Sequence, residues 1–211
     1  MRPSSWITAS AFVLSGLFGC GSSHHPPATP DKCSVIPSGY ADLCNVNGVS
    51  CQTCSSPPSL VGSFSGTGTT VVTSNSLWKV GDSNKFSVSI TTQTDSKVGG
   101  GFDMDSYHFD VDVSQATILG SGDEFTIFGT DSAVNDDPDA SVPANCTVEA
   151  RAVVTGTLSS STSPATLSGK VNLQFTNNIR GSGCTQDQIT KFPGTGAIFS
   201  YSAIEATSVL Q

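Results

Sequence analysis

Thr147-Val148-Glu149-Ala150-Arg151-Ala152-Val153-Val154 and, after a short polar break, Leu167-Ser168-Gly169-Lys170-Val171-Asn172-Leu173-Gln174-Phe175 are the stretches that decide the fold. Val148, Ala150, Ala152 and Val154 alternate with Thr147, Glu149 and Arg151, and Leu167, Val171, Leu173 and Phe175 alternate with Lys170, Asn172 and Gln174. Successive side chains on a strand point to opposite faces, so a period of two means one buried face and one wet face. The break Ser159-Ser160-Ser161-Thr162-Ser163-Pro164 is turn chemistry, which predicts a hairpin from Cys146–Leu158 to Ala165–Thr176. Pairing Leu158 with Thr166 places Cys146 opposite Asn178. A loop from Asn177 through Gly183 can then bring Cys184 back to Cys146, and the bridge would clamp the open end of the hairpin.

The same period extends along the chain. Phe86, Val88 and Ile90 alternate with Ser87 and Ser89, and Tyr107, Phe109, Val111 and Val113 alternate with His108, Asp110 and Asp112. Strands are expected at Gly62–Thr73, Asn84–Gln93, Lys97–Val113 (one segment or two), Asp123–Thr130, the hairpin, and Thr195–Thr207. Nothing after Pro58 keeps a helical period for more than two turns. The fold class is all-β, an antiparallel up-and-down barrel or a sandwich of about seven or eight strands. Gly62-Ser63-Phe64-Ser65-Gly66-Thr67-Gly68 is similar to the first strand of lipocalin-like barrels, which opens on Gly-x-Trp. Phe64 stands where that family has tryptophan, and its closing arginine motif has no counterpart here. Over this one strand, the resemblance implies a barrel.

Ahead of the strands, Cys33, Cys44, Cys51 and Cys54 lie among Pro37, Gly39, Asn45, Asn47 and Gly48. So short a segment cannot bury enough apolar surface alone and must rely on crosslinks, with three pairings open. Ser55-Ser56-Pro57-Pro58-Ser59 reads as a linker. At the start, Arg2 precedes a mostly apolar run from Trp6 to Phe18, the layout of an export signal and too short for a permanent span of about 20 residues. Leu17-Phe18-Gly19-Cys20 resembles the lipobox of bacterial lipoproteins, with Phe18 where that family has a small residue. The resemblance implies cleavage before Cys20 and several acyl chains on it. At about 0.8 kcal/mol per buried CH₂, those chains anchor stably. Gly21 follows, not the aspartate that marks inner-membrane retention in that family, which implies the outer membrane. The expected plan is a signal over 1–19, a tether over 20–32, a Cys-rich module over 33–54, a linker over 55–59 and a β domain over 60–211. Of 7 cysteines, removing Cys20 leaves Cys33, Cys44, Cys51, Cys54, Cys146 and Cys184, an even set suited to three disulfides in an oxidising compartment.

With 9 Lys+Arg against 17 Asp+Glu the net charge is -8, which argues against nucleic acid as a partner. Asp103, Asp105, His108, Asp110 and Asp112 would share a face if a bulge at Ser106 shifts the parity. Alternate residues are about 6.6 Å apart, so a solvated face is the simpler reading. Asn135, Asp137 and Asp139 offer alternating oxygens for calcium, the one candidate cofactor, although the glycine and terminal glutamate of an EF-hand are missing. Of 3 His, His24 and His25 are in the tether, leaving His108 as the only base for a hydrolase that would also lack a Gly-x-Ser-x-Gly elbow. Cys51-Gln52-Thr53-Cys54 has redox spacing but nearby structural partners. Phe64, Phe86, Phe109, Phe175 and Phe199 fall on inward positions, where they either fill a core or line an apolar cavity. The expectation is an envelope lipoprotein with a non-enzymatic domain that binds an apolar small molecule or another envelope component. The alternatives are an envelope enzyme acting on glycan through paired carboxylates and a purely structural or adhesive module.

Overall fold

The computed structural model describes residues 35–104, 107–111, 116–134, 145–161 and 163–206. They form strands β1 (Ser55–Ser56), β2 (Gly62–Thr73), β3 (Ser83–Thr94), β4 (Lys97–Met104), β5 (Tyr107–Val111), β6 (Thr117–Ser121), β7 (Glu124–Val134), β8 (Thr147–Ser159), β9 (Thr166–Arg180) and β10 (Gly196–Glu205). A short helix, α1 (Gln186–Lys191), and a 3-10 turn at Ala41–Leu43 accompany them. By contacts along the backbone, the described residues all belong to one compact unit.

One sheet holds every strand, and it closes into a ring. Consecutive strands from β2 to β10 pair with each other except β5 with β6, and β10 returns to β2 with Tyr201 opposite Gly68. β5 and β6 occupy one place beside β4, with Phe109 opposite Phe102 and Thr117 opposite Lys97. Nine strands thus fill eight places, and the fold is an up-and-down barrel. The Ser55–Ser56 part of the expected linker is a strand as well. β1 lies parallel to β6, Ser55 opposite Gly120, and covers the edge that β6 exposes beyond the start of β4.

An eight-place barrel leaves an interior that side chains can fill. Phe86 stacks on Tyr201 at a centroid distance of 4.4 Å. At one end, Trp78 from the β2–β3 loop stacks on Phe175 at 6.0 Å and meets Phe199 edge-on at 5.4 Å, while Phe192 after α1 also stacks on Phe175 at 5.1 Å. At the opposite end Leu60 is buried. Its N–H donates to Gln93 Oε1, and Gln93 Nε2 donates to the Pro58 carbonyl. Glycine permits the tight curvature. A Cβ on Gly66 would lie 1.9 Å from the Ser202 carbonyl oxygen, and one on Gly169 would lie 1.9 Å from that of Thr155, so the strands approach there as only a bare Cα allows.

Several expectations need correction in detail. Cys146 and Cys184 are bridged, but the hairpin register is one residue off, with Leu158 opposite Leu167 and Ser159 opposite Thr166. An irregularity between Val148 and Ala150 then carries Thr147 opposite Arg180. The parity change near Ser106 marks a chain reversal, not a bulge. β4 ends at Met104, β5 begins at Tyr107, and the two residues face each other across an antiparallel pair.

Candidate functional site

Some residues on the outer wall are apolar where a solvated barrel would be polar. Leu119, Phe128, Val153 and Ile198 are all buried, yet they belong to a cluster separate from the barrel interior. Leu43, Cys44 and Val49 of the N-terminal module complete that cluster. The module is a cover laid along the outside of β6 to β10, and full burial of each such side chain contributes roughly 1.5–3 kcal/mol.

Polar contacts fix its position. Cys44 and Cys51 are bridged, so the Cys51-x-x-Cys54 spacing is not a redox pair. Tyr40 Oη and Thr130 Oγ1 share a hydrogen bond of 2.7 Å, and buried Asn172 donates through Nδ2 to the Leu43 carbonyl at 2.9 Å. Arg151 donates to the Gly39 carbonyl, to Asp42 and to Gln174. Lower on the wall, the Gln52 N–H donates to Thr126 Oγ1, and Lys170 Nζ donates to the Asn47 carbonyl.

Beyond the module the wall changes character. The pairings place Thr157, Ser168, Ser202, Thr67 and Lys85 in one row across β8, β9, β10, β2 and β3. The next row holds Thr155, Lys170, Ser200, Thr69 and Ser83. A third holds Ser159, Thr166, Ile204, Ser65 and Ser87. Interior residues Tyr201, Phe86 and Leu167 lie between them in sequence, so these rows face outward. They carry hydroxyls at all but Lys85, Lys170 and Ile204, and no carboxylate. Thr157, Ser168, Ser202 and Thr67 are exposed, and among the described residues their hydroxyls have no hydrogen-bond partner.

Where these rows meet the module lies a groove of about 360 Å³, within the size range of small-ligand sites. Its floor is β8 and β9 at the Gly156–Gly169 pair, its near side Thr157, Ser168 and Ser200, and its far side Gly48, Ser50 and Gln52. Glu124 at one end accepts from Gln52 Nε2 at 2.6 Å. Gly156 is bare because the interior behind it is taken, a Cβ there coming within 2.4 Å of Tyr201 Oη and 2.9 Å of the Phe125 ring, and Gly169 because the backbone of β8 lies against it. Tyr201 Oη donates to the Thr155 carbonyl at 3.1 Å, and burial raises its pKa above the ordinary tyrosine value.

The sequence-derived candidates are distributed differently. Phe64, Phe86, Phe175 and Phe199 are buried in one interior cluster. Phe109 is in β5 opposite Phe102. Asp103 stands opposite His108 and Gly101 opposite Asp110. Asn135, Asp137, Asp139, Asp105, Asp112, Cys20 and Cys33 lie outside the described residues. Among the described residues no three His, Cys, Asp or Glu side chains gather to hold a metal, and no helix is long and apolar enough to cross a membrane. Sequence reasoning missed the hydroxyl rows and the groove. The signal was the Ser/Thr content of the polar parity in each strand, which gains meaning only once the register joins five strands. No protein-family model, curated protein or solved structure matches the chain.

Proposed function

We propose that the chain is a lipid-anchored envelope protein whose barrel is a non-enzymatic binding module that engages its ligand on the outer wall. One observation carries this reading. The described interior is occupied by the barrel's own rings, Trp78, Phe175, Phe192 and Phe199 at one end and Phe86 with Tyr201 deeper in, whereas the wall outside offers a groove and an array of hydroxyls. Recognition by such a wall needs no enclosed apolar cavity. The anchor rests on the lipobox-like Leu17-Phe18-Gly19-Cys20 and on the even set of cysteines that remains without Cys20.

Two measurements test the parts separately. Cells given an alkyne-tagged palmitate are expected to label the wild-type chain and not Cys20→Ala, with the variant released from the membrane fraction. Equal labelling of both would refute the anchor. The chain has 2 Trp, and cleavage before Cys20 removes Trp6, so Trp78 in the barrel end is the only tryptophan left to report on the interior. Titration of the mature protein with a long-chain fatty acid is expected to leave its emission unchanged. A saturable shift at micromolar ligand would refute outer-wall recognition in favour of an enclosed site.

A further inference from the structure

From the rows of hydroxyls and the groove that continues them, we infer that the outer wall of β8, β9, β10, β2 and β3 binds a neutral polysaccharide chain. This names the ligand class for the outer-wall reading and rests on it. Each Ser or Thr hydroxyl is both donor and acceptor, the same pairing that a sugar hydroxyl presents, so an array of them can meet a polyhydroxylated polymer at many points.

Other partners fit this surface poorly. Protein interfaces are enriched in aromatics, Met and Arg and depleted in Ser and Lys at their centres, and here Ser and Thr dominate. Nucleic acid is held by neutralising phosphates with many cations, whereas the three rows contain only Lys85 and Lys170. Interfacial membrane binding needs a broad apolar face flanked by basic residues, and Ile204 is the one large apolar side chain in the rows.

Charge points the same way. On a chain of net charge -8, the rows carry no carboxylate. The groove holds one cation and one anion, Lys170 donating to Asn47 and Glu124 accepting from Gln52. Rows and groove together carry two cations, Lys85 and Lys170, against one anion, Glu124, and both groove charges are already engaged by the module, which suits an uncharged polymer better than a polyanion. Rows lie about 6.6 Å apart along each strand, and strands about 4.8 Å apart across the sheet. The array therefore spans several sugar units, and the groove receives one end of the chain.

Affinity electrophoresis of the mature full chain in native gels containing dextran, laminarin, hydroxyethyl cellulose or alginate tests this. Retardation by at least one neutral glucan is expected, relative to a gel with polyethylene glycol. Ser168→Glu with Ser200→Glu puts two carboxylates into the groove and should weaken retardation at least tenfold without lowering the melting temperature. Thr157→Val, which removes one hydroxyl at constant shape, should weaken it about two- to twelvefold, the range of one hydrogen bond. Ser76→Glu, which adds one carboxylate away from the rows in the exposed β2–β3 loop, should change nothing. The inference is overturned by retardation in alginate alone, by equal loss in Ser76→Glu, or by no retardation in any glucan. The last result leaves outer-wall recognition standing, because that reading is tested separately by the Trp78 titration.

Discussion

Breaking the Cys146–Cys184 bridge should destabilise the barrel far more than breaking Cys44–Cys51. The two bonds close chain segments of 38 and 7 residues respectively. In the chain-entropy model the longer bridge restricts the unfolded state by about 3.9 kcal/mol at 25 °C and the shorter by about 2.4 kcal/mol. The longer one also joins the foot of β8 to the residue just before Thr185, the cap of α1, so its loss is felt where Phe175 and Phe192 stack. For a domain of this size 1 kcal/mol moves the melting temperature by about 2–4 °C. The Cys146→Ala/Cys184→Ala variant is therefore expected to melt roughly 8–16 °C lower. Cys44→Ala/Cys51→Ala should mainly loosen the module and leave the barrel transition nearly in place. Thermal and urea melts followed by circular dichroism, with Trp78 fluorescence as a second probe, measure both. A fall below about 3 °C for Cys146→Ala/Cys184→Ala, or a larger fall for the other pair, would mean that the longer bridge does not hold the barrel.

Three further outcomes are expected. Val153→Asp puts an unpaired carboxylate between the wall and Leu43 or Val49, at a cost of about 3 kcal/mol. It should detach the module, seen as new cleavage between residues 54 and 60 in limited proteolysis; resistance equal to wild type would contradict the covered wall. Gly169→Val forces a side chain into the Thr155 carbonyl and should cost at least about 3 kcal/mol or abolish folding, whereas a wild-type melt would disprove the close approach. Tyr201 holds its proton more tightly folded than unfolded, so its contribution is complete below the ordinary tyrosine pKa and is lost as pH rises above it. Alkaline titration at 295 nm should show one tyrosine that ionises only on unfolding. Tyr201→Phe should remove that step and cost about 1 kcal/mol through the lost hydrogen bond to Thr155.

Much of the barrel was legible because most strands have one covered and one solvated face. Gly62–Thr73 has the bounds read from its alternation, and Cys146 with Cys184 could be paired from the hairpin alone. Reading failed where both faces are covered. Ile118 and Leu119 point to opposite sides of the wall and are both buried, so β6 shows no alternation and was not expected. Val153 breaks the pattern of its own strand for the same reason, because the module covers it. The one-residue difference in the hairpin arises at its turn, where Ser159 pairs with Thr166 inside the ladder, and the irregularity between Val148 and Ala150 adds a second shift that alternation does not reveal. Pairing within the module could not be chosen from spacing, since Cys44–Cys51 owes its geometry to Leu43 and Val49 packing on Phe128 and Val153. The hydroxyl rows depend on register across five strands, information that no single segment contains.

Outer-wall recognition is tested most directly by native mass spectrometry of the mature protein extracted from its own envelope and compared with its denatured mass. Outer-wall recognition predicts the same mass in both spectra, the proposed acyl chains on Cys20 included, with any added native mass composed of sugar units and lost in Ser168→Glu/Ser200→Glu. A stoichiometric apolar molecule retained in the native spectrum and unaffected by that variant would contradict it.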